Sequence, residues 1–220
     1  MDARPEDGYS DRSAHRTMLA SRRSPEEGRP YREGTHVVTG PLRASSSPGK
    51  ETAMTQKTMT EKDMFLQTLQ REVEITTKLL KAFPANKDDF KPHEKSRTAK
   101  ELAWNFVLEQ GIADAALKGQ IDFSKPMPAP PGSLGEVIAA FEKASRETDA
   151  KVSKASEDDL NRTVQWPIGP GKIGDFRAMD VLWISLMDQV HHRGQLSVYQ
   201  RLAGGKVPSI YGPTADEPWM

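Results

Sequence analysis

Met179-Asp-Val-Leu-Trp-Ile-Ser-Leu-Met-Asp-Gln-Val-His-His-Arg-Gly-Gln-Leu-Ser-Val-Tyr-Gln-Arg-Leu202 runs for 24 residues without a proline and has two unlike faces. Advancing about 100° per residue, as an α-helix does, puts Met179, Leu182, Trp183, Leu186 and Val190 on one side. That is a core stripe. The opposite side of a surface helix is polar, yet here it mixes Val181, Ile184, Asp188, His192, Gln195 and Tyr199. Apolar residues above and below Asp188 and His192 predict that this second face is partly covered too. The predicted helix spans about 177–202, and Gly204-Gly205 supplies the conformational freedom common just past a helix end.

Working back towards the N-terminus, three more helices are predicted. Residues 60–83 carry Met64, Leu66, Leu69, Val73, Thr76, Leu79 and Leu80 at helical spacing, and Pro84 stops the run. Thr98-Ala-Lys-Glu101 reads as a capping box, in which hydroxyl and carboxylate each satisfy a free backbone N–H. It opens a helix to about Leu117 with Ala99, Leu102, Phe106, Ala113 and Leu117 on one stripe. A Pro-rich loop at 126–132 follows, then a second capping box, Ser133-Leu-Gly-Glu136, opening a helix to about Lys154. Residues 164–174 read as a small hairpin or an irregular loop. The predicted class is all-α, a four-helix bundle.

Residues 1–53 differ in kind. They are dense in Arg, Ser, Pro, Gly and Glu, and their few apolar residues lack period. Such a segment buries too little surface to offset its chain entropy, so a disordered arm is expected ahead of a domain at 57–220. An alternative start at Met54 or Met59, with the upstream residues a translation artefact, is the other reading.

The 220 residues contain 31 basic and 31 acidic side chains, a balance that offers no general pull towards nucleic acid or anionic membrane. No stretch reaches the roughly 20 apolar residues of a membrane helix, and no secretory apolar core stands at the N-terminus. The cytoplasm is the expected compartment. With no cysteine, thiolate metal sites and cysteine nucleophiles are excluded. No phosphate-binding loop, dinucleotide fingerprint or GxSxG elbow occurs.

Asp188 and His192 are four apart and stack on one helix face within reach of one ligand. A half-buried carboxylate and imidazole need each other, a further polar group or a cation. His191 lies about 100° round the helix. Arg193 falls near the apolar stripe, where its stem can snorkel or its fork can pair with a carboxylate. Trp104, off the main stripe, suits a pocket wall or a dimer face. Tyr211 can reach over the end of the bundle, or its tail can simply cover apolar surface. Asp216 and Glu217 sit where fraying is expected, and His93 in an exposed charged loop.

The run Met187 to Leu202, with its HHRGQL core, resembles the last helix of the DinB/YfiT-like proteins. The tail from Gly205 to Glu217 and the segment Ser96-Arg-Thr-Ala-Lys-Glu-Leu-Ala-Trp-Asn105 agree with it. The resemblance implies an up-up-down-down bundle holding a divalent metal on three histidines, with open positions for water or substrate. Some relatives are thiol S-transferases. Mapped onto this chain, the implied ligands are Asn105, Asp188 and His192, of which only His192 is a histidine. An Asn oxygen is a hard, neutral donor that would weaken Zn or Ni and shift preference towards oxygen-loving ions; the expected cofactor is a divalent ion, Zn, Ni, Mn or Fe. The expected partners are a small-molecule substrate, a low-molecular-weight thiol among the candidates, and a second copy of the chain. The rival expectation is a non-catalytic, metal-free bundle that binds a small molecule or acts as a dimeric stress-response protein.

Overall fold

The computed structural model describes residues 58–220, so the arm expected at 1–53 lies outside the described residues. Four long helices dominate: α1 (Glu61–Lys81), α2 (Ala99–Leu117), α3 (Leu134–Lys154) and, last in the chain, α5 (Ala178–Leu202). Between α3 and α5 come a five-residue helix α4 (Glu157–Asn161) and an antiparallel hairpin, β1 (Thr163–Gly169) and β2 (Lys172–Arg177). The class is therefore mostly helical with a small two-stranded sheet, not all-α. The hairpin forms where the chain between α3 and α5 pairs Val164 with Phe176 and Trp166 with Gly174, and turns through Gly171 at φ +66°. The long helices meet in the order α1–α3–α2–α5, and α5 returns to α1. Among the described residues no helix is long and apolar enough to cross a membrane.

Local chemistry sets the helix starts. Thr98 Oγ1 accepts from Glu101 N at 3.1 Å while the Glu101 carboxylate accepts from Thr98 N at 2.7 Å. Ser133 and Glu136 do the same for α3. Thr60 with Asp63 and Ser156 with Asp159 cap α1 and α4 in the same way. Each reciprocal pair satisfies donors that the helix leaves free.

The core divides into apolar clusters with a polar level between two of them. One gathers Leu79, Leu80, Leu102, Phe106, Phe141 and Leu196. Another gathers Phe65, Leu69, Ala113, Val152, Leu182 and Leu186. Between them in sequence, on three helices at once, lie Glu72, Thr76, Gln110, Gln189 and Arg193, all buried. The predicted stripe of α1 holds at Leu69, Thr76, Leu79 and Leu80 and departs at its first residue. Phe65 is buried and Met64, expected on the stripe, is 49% exposed. Val190, expected in the core of α5, is only half-buried, and Ser185, Gln189 and Arg193 take the interior line.

The tail after α5 is tied down rather than frayed. Asp216 accepts from Arg201 at 2.7 Å and from Val207 N at 2.9 Å, and Glu217 accepts from Ser209 N at 2.7 Å and pairs with Lys78 at 2.6 Å. Its approach depends on Gly205, where a Cβ would come within 2.6 Å of Pro84 Cγ and 3.0 Å of Gln200 Cγ. Gly205→Ala is expected to lower stability by about 1–3 kcal/mol, the usual cost of overpacking. Gly212→Ala, with nothing within 4 Å of its Cβ, serves as the control. Urea denaturation of both variants checks it.

Candidate functional site: a polar cleft between α2 and α5

Asn105, Asp188 and His192 line one cleft of about 490 Å³, together with Arg97, Trp104 and Glu109. Helix periodicity explains the grouping. Asn105 and Glu109 are one turn apart on α2, and Asp188 and His192 are one turn apart on α5, the helix packed against it. The Pro-rich loop closes one side. Trp104 Nε1 donates to Pro128 O at 2.7 Å, and Met127 and Pro130 reach the cleft. Trp104 thus builds the wall.

Within the cleft Asp188 Oδ2 lies 3.2 Å from His192 Nε2. His192 Nδ1 meets Gln195 Oε1 at 3.1 Å, and the Gln195 amide nitrogen reaches His191 Nε2 at 2.9 Å. One amide therefore bridges the two adjacent imidazoles, and only His192 faces the carboxylate.

Glu109 is the residue that sequence reasoning missed. It is 8% exposed, and its carboxyl contacts that of Asp188. Burial, first, and then the neighbouring Asp188 carboxyl push its pKa up to about 8. Two carboxyls in contact in a sheltered place favour holding one proton between them. Glu109 is accordingly neutral at pH 7 and can donate to Asp188. The available signal was its place four residues after Asn105, on the same face. Read in isolation, a glutamate in mid-helix passes for a solvated one.

Asn105 is fixed from a different direction. Arg97, from the loop before α2, donates from Nη1 to Asn105 Oδ1 at 2.7 Å. A guanidinium has donors only, so it determines which end of the amide it meets. The other end, Nδ2, is buried and has no hydrogen-bond partner.

These contacts bear on the implied metal. A ligand oxygen already held by a guanidinium places a positive charge where a cation would bind. Asp188 and His192 are sound donors, but they are two where the resemblance implies three. Among the described residues, no group of three or more His, Cys, Asp or Glu side chains is arranged to hold a metal ion. With its oxygen on Arg97, Asn105 offers an ion no free donor, and Asp188 and His192 are the donors of the implied set that remain.

A second cleft of about 590 Å³ continues from the first and shares Glu109, Ile112 and Asp188 with it. Its far wall is apolar. Phe123, from the loop between α2 and α3, and Trp166 of the hairpin meet edge to face at 5.4 Å, beside Ile184 and Met187. The hairpin thereby contributes Trp166 to the wall of this second cleft.

The molecule is mostly helical, with a polar cleft between its second and last long helices. The chain belongs to the DinB family, whose model matches residues 54–219. It is 29% identical over 160 residues to the uncharacterized protein YrdA of Bacillus subtilis, covering 70% of this chain and 90% of that one. Its fold is similar to the crystal structure of the DinB-like protein YjoA of Bacillus subtilis: TM-score 0.55, 19% identity, 67% of this chain and 97% of that one. A DinB-like protein of Bacillus cereus is similar to it as well, with a TM-score of 0.56 and 23% identity over 67% of this chain and 95% of that one.

Proposed function

We propose that this DinB-family protein binds a small-molecule substrate in the cleft between α2 and α5, and acts on it through the Glu109–Asp188–His192 group rather than through an Asn105/Asp188/His192 metal of the thiol-transferase kind. The observation that carries the reading is that the buried Glu109 carboxyl shares both clefts with Asp188, which lies 3.2 Å from His192. Neighbouring carboxyls whose environments push their proton affinities apart supply an acid and a base in one place. Here the buried Glu109 is the proton donor. Asp188, half-exposed and 3.2 Å from the His192 imidazole, is the polar group that orients it. Such groups contribute most when their pKa lies near the working pH, as that of Glu109 does. The reading is further supported by Arg97, which occupies the oxygen that Asn105 would offer an ion.

The test is metal content, measured by elemental mass spectrometry on protein purified without a histidine tag, for wild type and His192→Ala. The expected result is far less than one ion per chain in both, before and after incubation with zinc, nickel, manganese and iron(II). About one ion per wild-type chain, lost in His192→Ala, would overturn the reading in favour of a three-donor Lewis-acid site.

A further inference from the structure

The two clefts that share Glu109, Ile112 and Asp188 make one trough with unlike ends. At one end stand Lys95 and Arg97, neither in an ion pair with any described carboxylate. Glu101 lines the same end, but its carboxylate is turned to the Thr98 backbone N–H at 2.7 Å, where it caps α2. Arg97 is held in place by Asn105 Oδ1. That contact leaves Asn105 Nδ2, on a residue that is 8% exposed and lines the trough, as a buried donor without an acceptor. Arg97 feels the Glu101 carboxylate electrostatically but forms no ion pair with it, so two cations and an unused amide donor against one carboxylate ask for an oxyanion. At the other end the edge-to-face pair of Phe123 and Trp166 stands with Ile184 and Met187, a surface that favours an apolar, ring-sized group. The Asp188 carboxylate stands where the two clefts join, and like-charge repulsion keeps an anion from that middle position.

Resting on the small-molecule reading above, we propose that the trough takes a small organic acid of defined polarity. Its carboxylate sits at Arg97, Lys95 and the Asn105 amide, its middle crosses Glu109 and Asp188, and its apolar body lies against Phe123 and Trp166. A planar guanidinium matches a carboxylate with two parallel hydrogen bonds, which favours a carboxylate head over a point anion. The order of groups along the trough places the substrate's reacting atoms between its carboxylate and its apolar body.

The experiment uses 4-phenylbutyrate as the probe. Its binding to the full chain is followed by calorimetry and by the indole N–H resonances in NMR spectra. The expected result is measurable binding that shifts the Trp166 indole signal. Because a charge-assisted contact is lost in each case, 4-phenylbutanamide is expected to bind the wild type about tenfold more weakly, as is 4-phenylbutyrate to Arg97→Gln. Butyrate, lacking the ring, is expected to be weaker by about tenfold as well. Arg97 is exposed, and an unchanged circular-dichroism spectrum and melt confirm that the variant is folded. Lys95→Gln, also at an exposed position, should give a smaller loss in the same direction. Equal binding of acid and amide, or no binding of 4-phenylbutyrate in the millimolar range, would overturn the proposal. The two readings fail separately: a stoichiometric metal ion removes the acid–base reading and leaves the head-group preference standing. Equal binding of acid and amide removes the head-group assignment and leaves the proton on Glu109.

Discussion

Glu109→Gln is expected to stabilise the protein at pH 9 by roughly 3–5 kcal/mol and to leave it nearly unchanged around pH 4. The carboxyl titrates at its ordinary value of 4.5 in the unfolded chain and at about 8 in the folded one. Between those values the folded protein holds a proton that the unfolded chain has lost, so raising the pH favours unfolding. Each unit crossed costs about 1.4 kcal/mol from this one group. The loss begins as pH rises through the unfolded value and is complete above the folded value, where both states are ionised. Glutamine has no proton to lose, yet its amide N–H can donate to Asp188 as the protonated carboxyl does. Urea denaturation of wild type and variant from pH 4 to pH 9 makes the comparison. All other titrations are common to both proteins, so the difference between the two curves belongs to Glu109 and its partner. A difference that stays level across that range would show that the carboxyl ionises in the folded state as it does in water. Asp188→Asn should recover only part of the effect, because burial, the larger cause, remains.

How much of this was legible beforehand follows from the range of each interaction. The capping boxes Thr98–Glu101 and Ser133–Glu136 formed where the sequence predicts them, because their chemistry is complete within four residues. The pairing of Asp188 with His192 is equally local. The convergence of Asn105 with that pair is not local, and its expectation came through family resemblance; the structure brings all three to one cleft. What hydropathy could not show is the buried polar level. A helical wheel assigns the interior to apolar residues, so it placed Met64 in the core and passed over Phe65, which lies on the face that also buries Glu72 and Thr76. Arg97 precedes its helix and has no periodicity to betray it; only folding brings it to Asn105. The strands of the hairpin hold Pro167, Gly169 and Gly174, poor strand formers, and are fixed instead by pairing with each other and by Val164 and Trp166 packing onto the helices.

Arg193→Met carries the other large expectation, a loss of about 3–5 kcal/mol, the cost of leaving one member of a buried ion pair alone. Arg193 is 1% exposed and lies 2.7 Å from the carboxylate of Glu72, itself 5% exposed. The guanidinium also donates to Thr76 Oγ1 at 3.3 Å and to the Tyr211 hydroxyl, and it stacks 4.9 Å from the Tyr211 ring centre. Tyr211 in turn donates to Glu72 Oε2 at 2.7 Å. Tyr211 is therefore neither a lid over the cleft nor a mere apolar cover: it is the tail's hydrogen-bonded anchor to α1 and α5. Removing Arg193 leaves the buried Glu72 carboxylate with only the Tyr211 hydroxyl and the exposed Arg71 guanidinium at 4.0 Å, whereas Tyr211→Phe leaves the ion pair intact and should cost only about 1 kcal/mol. The double variant Glu72→Leu/Arg193→Met removes both charges and should regain most of what the single variant loses, since a buried pair seldom outperforms well-packed apolar side chains. A double-mutant cycle by urea denaturation measures that coupling. Strong recovery in the double variant, with the tail still docked, would mean that the pair specifies the register of α1 against α5 more than it holds them together. If the double variant is as unstable as the single, the remaining polar groups at this level, Thr76, Gln110 and Gln189, need the guanidinium to satisfy them. The register of α5, and with it the alignment of Asp188 and His192 opposite α2, then depends on a polar network rather than on the apolar clusters above and below it.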